Sequence, residues 1–461
     1  MPTSPPQLGG PAFWHAETGG PPVLRPGLEG DTTADVCIVG AGFTGLWSAY
    51  YLTQAAPGLR VLVVEKDFAG FGASGRNGGW LTGGFAWRHE RYLETGDAAG
   101  VRAMVRAMAG TVDEVIRVAG AEGIDARICR TAELLVATNP AQLARARAEL
   151  DHRRAWGEDR LHLIGAAEAR ARVAVPGALG ALVLDGVARV QPALLVRGLA
   201  RAVEARGVRI VEGTPATAIA PGIVTTPRGR IRAPLILRAT EGFTAGLPGH
   251  RRDWLPLNSA QIVTEPLPPA VWAAIGWQGY ELLGDMAHGY CYGQRTDDGR
   301  IVLGARGVPY RMGSRLDTAG RPDARTVAGL VARLHRHFPA ARGARIAHAW
   351  CGVLGVPRDW CATVGFDAAT GIGWAGGYVG VGVSTANLAG RTMADLMLGR
   401  DSDLTRLPWV NRRPRRWEPE PLRWLAVRGL YAALRVADRM EDRGQGGTAA
   451  LARAAMRIAG R

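Results

Sequence analysis

The chain has 461 residues, of which 47% are hydrophobic and 21% charged, so a disordered polymer is excluded and a large core is affordable. Glycine supplies 63 residues, about twice its usual share, without a three-residue repeat, which excludes collagen and predicts many tight turns. The formal charge of +15 rests on 55 arginines and one lysine, Lys66, dispersed among acidic residues, so nucleic-acid binding is not expected.

Residues 1–30 are rich in proline and glycine and read as an extended arm on the surface. Val36-Cys37-Ile38-Val39 is then a short apolar run of buried-strand type, and Leu46 to Ala56 is helical in composition. Pro57-Gly58 ends that helix before a second buried strand, Val61 to Glu65, completing a βαβ unit. Helices are predicted over 98–121, 140–156 and Gln191 to Arg206, with strands at Val208 to Glu212 and Leu235 to Ala239. Between about 255 and 350 the pattern turns to alternating, aromatic, turn-rich segments, in which Tyr290 to Gly293 and Arg300 to Gly304 suggest antiparallel strands. A glycine-rich stretch over Gly371 to Gly382 precedes a helix over Ser384 to Leu398. The five cysteines form no C-x-x-C pair, so neither a disulfide framework nor a metal site is expected. No run of about 18 apolar residues appears, and the N-terminus lacks a secretion signal, so the expectation is a cytoplasmic protein without stable membrane insertion.

The chemistry starts at Gly40-x-Gly42-x-x-Gly45, between a strand and a helix, with Glu65 closing the second strand. Gly40 permits the turn, Gly42 lets backbone approach a pyrophosphate, and Gly45 lets helix and strand pack closely. Phe43 and Thr44 complete the loop, whose helix N-terminus favours an anion. Glu65 would accept hydrogen bonds from both ribose hydroxyls, and its charge disfavours a 2′-phosphate. A second glycine loop runs through Gly72, Ala73, Ser74, Gly75, Arg76, Asn77, Gly78 and Gly79, where a plain NAD domain would continue into a helix. Ser74 and Arg76 there could serve a phosphate, and the glycines could face a flat ring, which favours FAD over NAD.

These motifs resemble the FAD-dependent amine oxidoreductases that include glycine oxidase, sarcosine oxidase and D-amino acid oxidase, nearest to the gamma-glutamylputrescine oxidase subgroup. The resemblance runs from about Phe13 to Leu407. It implies non-covalent FAD, with Lys66 beside Glu65 among the cofactor-binding residues, Ala216 of Glu212-Gly-Thr-Pro-Ala216 at the adenine, and Thr240 near the diphosphate. Gly377, Tyr378, Gly380, Val381 and Gly382 resemble the C-terminal flavin loop. The fold implied is mixed α/β: a Rossmann-like FAD-binding domain (31–100, 155–250 and 350–408) interleaved with an antiparallel-sheet substrate domain (101–154 and 251–349), followed by an arginine-rich helical tail over 409–461.

The implied reaction is hydride transfer from an amine to the flavin, then hydrolysis of the imine to a carbonyl, with O2 or another acceptor restoring the flavin. A primary or secondary amine of extended, polyamine-derived type is expected as the small-molecule substrate. The alternatives are an amino acid or aminophosphonate dehydrogenase or oxidase, and a flavin-bearing tailoring component without free amine turnover. Val302 stands roughly where sarcosine oxidase-like members carry an oxygen-activating lysine, and Ser384 where they carry a carboxylate-binding one. Arg306 and Arg358 are the candidates to hold an anionic tail; Trp80, Tyr290, Tyr292 and Trp350 are candidates for an aromatic pocket. His89 and His288 are candidate bases, and Cys351 is a candidate for covalent flavin attachment. In the tail, Leu422, Leu425, Leu430, Leu434 and Met440 recur near helical spacing beside arginines, which fits a helix packed across the body or one touching an acidic membrane or a partner.

Overall fold

A computed structural model describes residues 6–85, 88–305, 310–316, 319–445 and 448–459. Val36–Val39 and Val61–Val64 are buried at every position, as expected of strands covered on both faces. They lie in a six-stranded sheet ordered Thr363–Asp367, Ile372–Gly376, Leu235–Arg238, Val36–Val39, Val61–Val64, Arg209–Val211. Only the edge strand Thr363–Asp367 runs antiparallel to its neighbour. The chain leaves Val36–Val39 for a neighbour on one side and reaches the other side much later, so the glycine loop after this strand stands at a topological switch point, where α/β sheets bind ligands. On one face, Val36, Ile38, Val61 and Val63 join a helical core; on the other, Cys37, Val39, Leu62 and Val64 pack against the meander Ala218–Ala220, Ile223–Thr226 and Gly229–Arg232.

Helix Phe43–Ala55 is buried from Phe43 to Thr53 and packs against helices Pro192–Ala205 and Gly382–Met397. The last of these carries Gly390 at the crossing. A Cβ there would lie 2.6 Å from the Trp47 Cβ, so only glycine lets the two helices approach this closely.

A ten-stranded mixed sheet stands beside this unit. Its path is Gln7–Leu8, Ile346–Val356, Leu255–Thr264, Ile301–Ala305, Cys291–Arg295, Leu282–Asp285, Cys129–Ala137, Gly180–Arg189 and Trp80–Leu81, with Leu161–Gly165 also paired to Gly180–Arg189. The hairpin expected around 290–304 is present as Cys291–Arg295 paired antiparallel with Ile301–Ala305.

Three features differ from the sequence expectation. The strands Leu161–Gly165 and Gly180–Arg189 belong to the large sheet, although 155–250 read as nucleotide-binding. Helix Ala98–Ala121 buries Val101, Met104, Met108 and Val112 in the core of the parallel-sheet unit, although 101–154 read as substrate-binding. Short strands and an amphipathic helix look alike whichever sheet they join, so periodicity does not assign them. The arm, finally, lies on the surface only in part: most of residues 16–30 are exposed or half-buried, but Ala12, Phe13, Trp14 and His15 are buried, and Gln7–Leu8 adds an exposed edge strand to the large sheet. The Trp14 indole N–H donates to the carbonyl of Asn77 at 2.7 Å, and its ring meets Trp350 edge-on.

Because Trp14 is both core and support for the second glycine loop, Trp14→Ala is expected to cost about 3–5 kcal/mol. Trp14→Phe should recover the packing but not the bond to Asn77. Thermal melts of the three proteins, with flavin content measured alongside, check both statements.

Candidate functional site

The glycines of the first loop are required by contact. Gly40 has φ +112°, and a Cβ on it would sit 2.5 Å from the Ala239 carbonyl oxygen; one on Gly45 would sit 2.0 Å from the Gly40 oxygen. Backbone from two distant segments, 40–45 and the end of strand Leu235–Arg238, therefore meets with no side chain between. A Cβ on Gly42 would lie 2.9 Å from Ser74 Oγ, and that oxygen accepts the Phe43 N–H at 2.8 Å. The second glycine loop is thereby tied to the N-terminus of helix Phe43–Ala55, where aligned peptide dipoles favour an anion.

The Glu65 carboxylate accepts the N–H groups of Ala41 at 2.8 Å and Asp67 at 3.0 Å. Desolvation pushes its pKa up to about 7, against the pull of those two donors. The Glu65 carbonyl accepts the Thr214 N–H at 2.8 Å, which brings the 212–216 segment carrying Ala216 alongside. Lys66 is exposed, with its amine 5.9 Å from the Phe243 ring centre.

The third segment joins through two contacts. The Tyr378 hydroxyl bonds the Thr44 hydroxyl at 2.9 Å, in a buried pair. Glu241 then reaches out from the end of strand Leu235–Arg238, next to Thr240. Its carboxylate accepts the N–H groups of Gly377 at 3.0 Å, Tyr378 at 3.3 Å and Gly355. Burial raises the Glu241 pKa to about 7. Glu241 adopts φ +41° to make this reach. Sequence reading passed over it: a glutamate between Thr240 and Gly242 looks like solvated loop, and nothing local announces partners more than a hundred residues away. Val381 then caps helix Gly382–Met397, whose first turn follows Gly380.

The residues present fit FAD: backbone stripped to glycine at two loops, a helix N-terminus beside Ser74, and an acidic side chain at the end of the second strand. The comparisons agree. Residues 35–396 match the family model described as FAD dependent oxidoreductase. The chain belongs to this family. The chain is 31% identical to gamma-glutamylputrescine oxidoreductase of Escherichia coli K12 over 379 residues, covering 81% of this chain and 85% of that protein. It is 28% identical to a probable oxidoreductase, OrdL, of Rhizobium meliloti over 414 residues, covering 85% and 89%. Among solved structures it is similar to glycine oxidase from Geobacillus kaustophilus, with TM-score 0.70 and 21% identity over 83% of this chain and 99% of that one. L-proline dehydrogenase from P. horikoshii gives 0.66 at 18% identity, covering 83% and 98%. This family member is an FAD-dependent oxidoreductase.

The remaining candidates separate cleanly. Tyr292 stands against the second glycine loop: a Cβ on Gly78 would be 3.0 Å from its ring, and one on Gly304 would be 2.3 Å from it. Its hydroxyl bonds Ser259 Oγ at 2.6 Å, and Trp80 meets its ring edge-on at 6.2 Å between centroids. Trp350 does not join this wall. It is fully buried with Phe13 and Trp14, and its N–H donates to the Arg76 carbonyl at 3.0 Å. Tyr290 lines a separate cavity of about 150 Å³ with His288, Trp360 and Leu434 of the tail.

Arg76, expected at a phosphate, is committed to main-chain carbonyls. Its guanidinium donates to the carbonyls of Phe71 at 2.8 Å and Cys351 at 3.2 Å and stacks on the Phe71 ring, so it staples the loop to the large sheet. Arg358 is paired with Glu418 at 2.9 Å and donates to carbonyls at the end of the chain's last helix, which removes it from an anionic tail. Arg306 lies outside the described residues. His89 stacks on Trp156 and bonds His152, and His288 is bound to Glu441 at 2.8 Å; both serve packing networks rather than this site. Val302 packs with Phe13, Trp14 and Trp350. Ser384 donates to the Thr82 carbonyl at 2.6 Å. The Cys351 side chain is buried with Ala260, Leu303 and Ala305 on the sheet face opposite that of its neighbour Trp350, so a covalent link from it to the flavin is not supported. A further cavity of about 330 Å³, lined by Arg238, Asp253, Trp254, Trp374 and Arg413, opens on the sheet face away from helix Phe43–Ala55.

Gly42→Val should fold yet lose bound flavin, because the branched side chain would displace Ser74 and fill the approach to the helix N-terminus; absorbance of the purified protein checks flavin, and circular dichroism checks fold. Glu241→Ala leaves three buried N–H groups without their acceptor and is expected to cost about 3 kcal/mol and weaken flavin retention. Both Glu65 and Glu241 keep protons in the fold that the unfolded chain releases. Their raised values therefore make the apoprotein lose stability as pH rises from about 4.5 to about 7. Apoprotein melting temperatures across that window should fall less steeply in Glu241→Gln.

Proposed function

We propose that this protein oxidises the amine of an extended, polyamine-derived substrate, in which the amine lies against the Tyr292 wall. FAD, when bound, supplies acceptance of the hydride leaving the carbon that bears the amine. The chain's own part is to bind, orient and desolvate. Trp80 and the Tyr292 ring offer apolar and cation-binding faces, and the Tyr292–Ser259 hydroxyl pair offers a hydrogen-bonding point for the nitrogen. Burial drives the Tyr292 phenol upward, so it stays protonated through neutral pH and donates rather than acting as a base. The unprotonated amine is accordingly drawn from solution.

The observation that carries this reading is the composition of the wall. It presents aromatic faces and hydroxyls, while Arg358, the candidate among the described residues for an anionic tail, is committed to Glu418 and main-chain carbonyls. That favours an amine without an α-carboxylate at the reacting end, and the name of the Escherichia coli relative points the same way. Mixed with excess gamma-glutamylputrescine, putrescine, glycine, sarcosine and D-amino acids in the absence of oxygen, the oxidised-flavin absorption band should bleach fastest with the first. Faster bleaching by glycine or a D-amino acid would overturn the substrate class. The rate should rise with pH and level off near the pKa of the substrate amine, about 10 for an alkyl amine. Tyr292→Ala should slow bleaching by about tenfold or more at unchanged flavin content.

A dehydrogenase variant of this reading is favoured by one observation. The chain's single lysine, Lys66, follows Glu65 and lies exposed 5.9 Å from the Phe243 ring, while Val302, at the position where the resemblance places an oxygen-activating lysine, is apolar and buried. Peroxide release in air should therefore lag behind anaerobic flavin reduction, and a quinone or dye acceptor should restore turnover.

A further inference from the structure

The tail carries a surface that neither the fold nor the cofactor needs. Residues 409–461 hold twelve arginines against five acidic residues and lie beyond the segment matched to the family. Helix Leu422–Asp442 has two apolar faces. One, with Val427, Leu434 and Ala437, is buried against the body and against helix Ala450–Ala459. The other is exposed: Leu422, Leu425, Val436 and Met440 recur at steps of three, eleven and four, which places them within one narrow stripe of an α-helix. Exposed Gly429 and Ala432 continue the same stripe.

Helix Ala450–Ala459 repeats the pattern, with exposed Leu451 and Ile458 seven residues apart on one side. Among the described residues twelve large hydrophobic side chains are exposed, and six of them are on these two helices. Such concentration is unlike the scattered apolar side chains of an ordinary soluble surface.

Charge identifies the occupant. Every acidic side chain of helix Leu422–Asp442 is engaged with the body. Asp438 accepts the N–H groups of His288 and Gly289, Glu441 binds Arg145 and His288, and Asp442 binds Arg336. The exposed arginines Arg428, Arg435 and Arg439 form a row beside the apolar stripe, with Arg443 just past the helix end. Helix Ala450–Ala459 carries Arg453 and Arg457 and no acid. Apolar stripes flanked by charge of one sign fit a surface that is oily below and anionic above. A protein partner of matching shape would need acidic groups and grooves at both helices. Among the described residues no helix is long and apolar enough to cross a membrane, so the contact proposed is peripheral.

We propose that the two tail helices dock the enzyme on an anionic lipid bilayer, with Leu422, Leu425, Val436, Met440, Leu451 and Ile458 entering the headgroup boundary and the arginines meeting lipid phosphate. These exposed tail residues take no part in the cofactor cradle, so flavin reduction in solution serves as an independent control.

The test is flotation of the flavin-loaded, full-length protein with phosphatidylcholine vesicles and with vesicles also containing phosphatidylglycerol. Binding to the anionic vesicles should be at least tenfold stronger and should fall with added salt, as screened charges require. Leu425→Gln/Val436→Gln and Arg428→Gln/Arg435→Gln/Arg439→Gln should each weaken binding about tenfold or more, with melting temperature and anaerobic flavin-reduction rate unchanged. Equal recovery with both vesicle types, or undiminished binding by both variants, would overturn the proposal. So would self-association at the same face, seen by light scattering as a dimer that the leucine and valine changes dissolve while vesicle binding is absent.

Discussion

The cofactor cradle depends on keeping glycine-lined backbone from distant parts of the chain in register, and one buried carboxylate does much of that. Glu241 collects N–H groups from Gly355, Gly377 and Tyr378, so the end of the central strand, the long strand of the large sheet and the C-terminal loop are bound to a single side chain. Around it the Ala239 carbonyl sits where Gly40 would carry a Cβ, and the Tyr378 hydroxyl meets Thr44. Backbone groups in such a place cannot be left unpaired without a free-energy cost, which is why a carboxyl with a raised pKa is tolerated there. The same contact joins the two sheets, so geometry at the cofactor and geometry at the aromatic wall are mechanically linked.

Much of the nucleotide half was legible because its chemistry is local. A strand, a turn that only glycine can make, a helix and an acidic residue lie within thirty residues, and each leaves a mark on composition. Ser74 of the second glycine loop and Tyr378 of the C-terminal loop both bond the start of helix Phe43–Ala55. What escaped was non-local. Arg76 carries the chemistry of a phosphate ligand, yet it spends its donors on Phe71 and Cys351, because the loop needs a staple where it crosses the large sheet. Trp350 resembled a pocket residue and is core, since the arm with Trp14 folds over it. The arm itself misled for the same reason: proline and glycine describe its backbone, while its few aromatic side chains decide where it lies.

The substrate side was harder to read because strands of one sheet come from both halves of the sequence. Tyr292 and Trp80 are 212 positions apart, and their strands, Cys291–Arg295 and Trp80–Leu81, stand four places apart in the ten-stranded sheet, yet the rings meet and Trp80 donates to the Gly293 carbonyl. The resulting wall is aromatic and hydroxylic. Its specificity comes from shape and desolvation more than from paired charge, in keeping with chemistry that the flavin largely supplies itself.

The interleaved topology also sets an order for biosynthesis. The strand Val36–Val39 emerges early, but its partner strand Ile372–Gly376 two places away and the loop at Gly377 leave the ribosome only after some four fifths of the message has been read. Nascent polypeptide therefore carries half a dinucleotide cleft through most of translation, and capture of the yellow prosthetic group becomes a late event that reports a finished body.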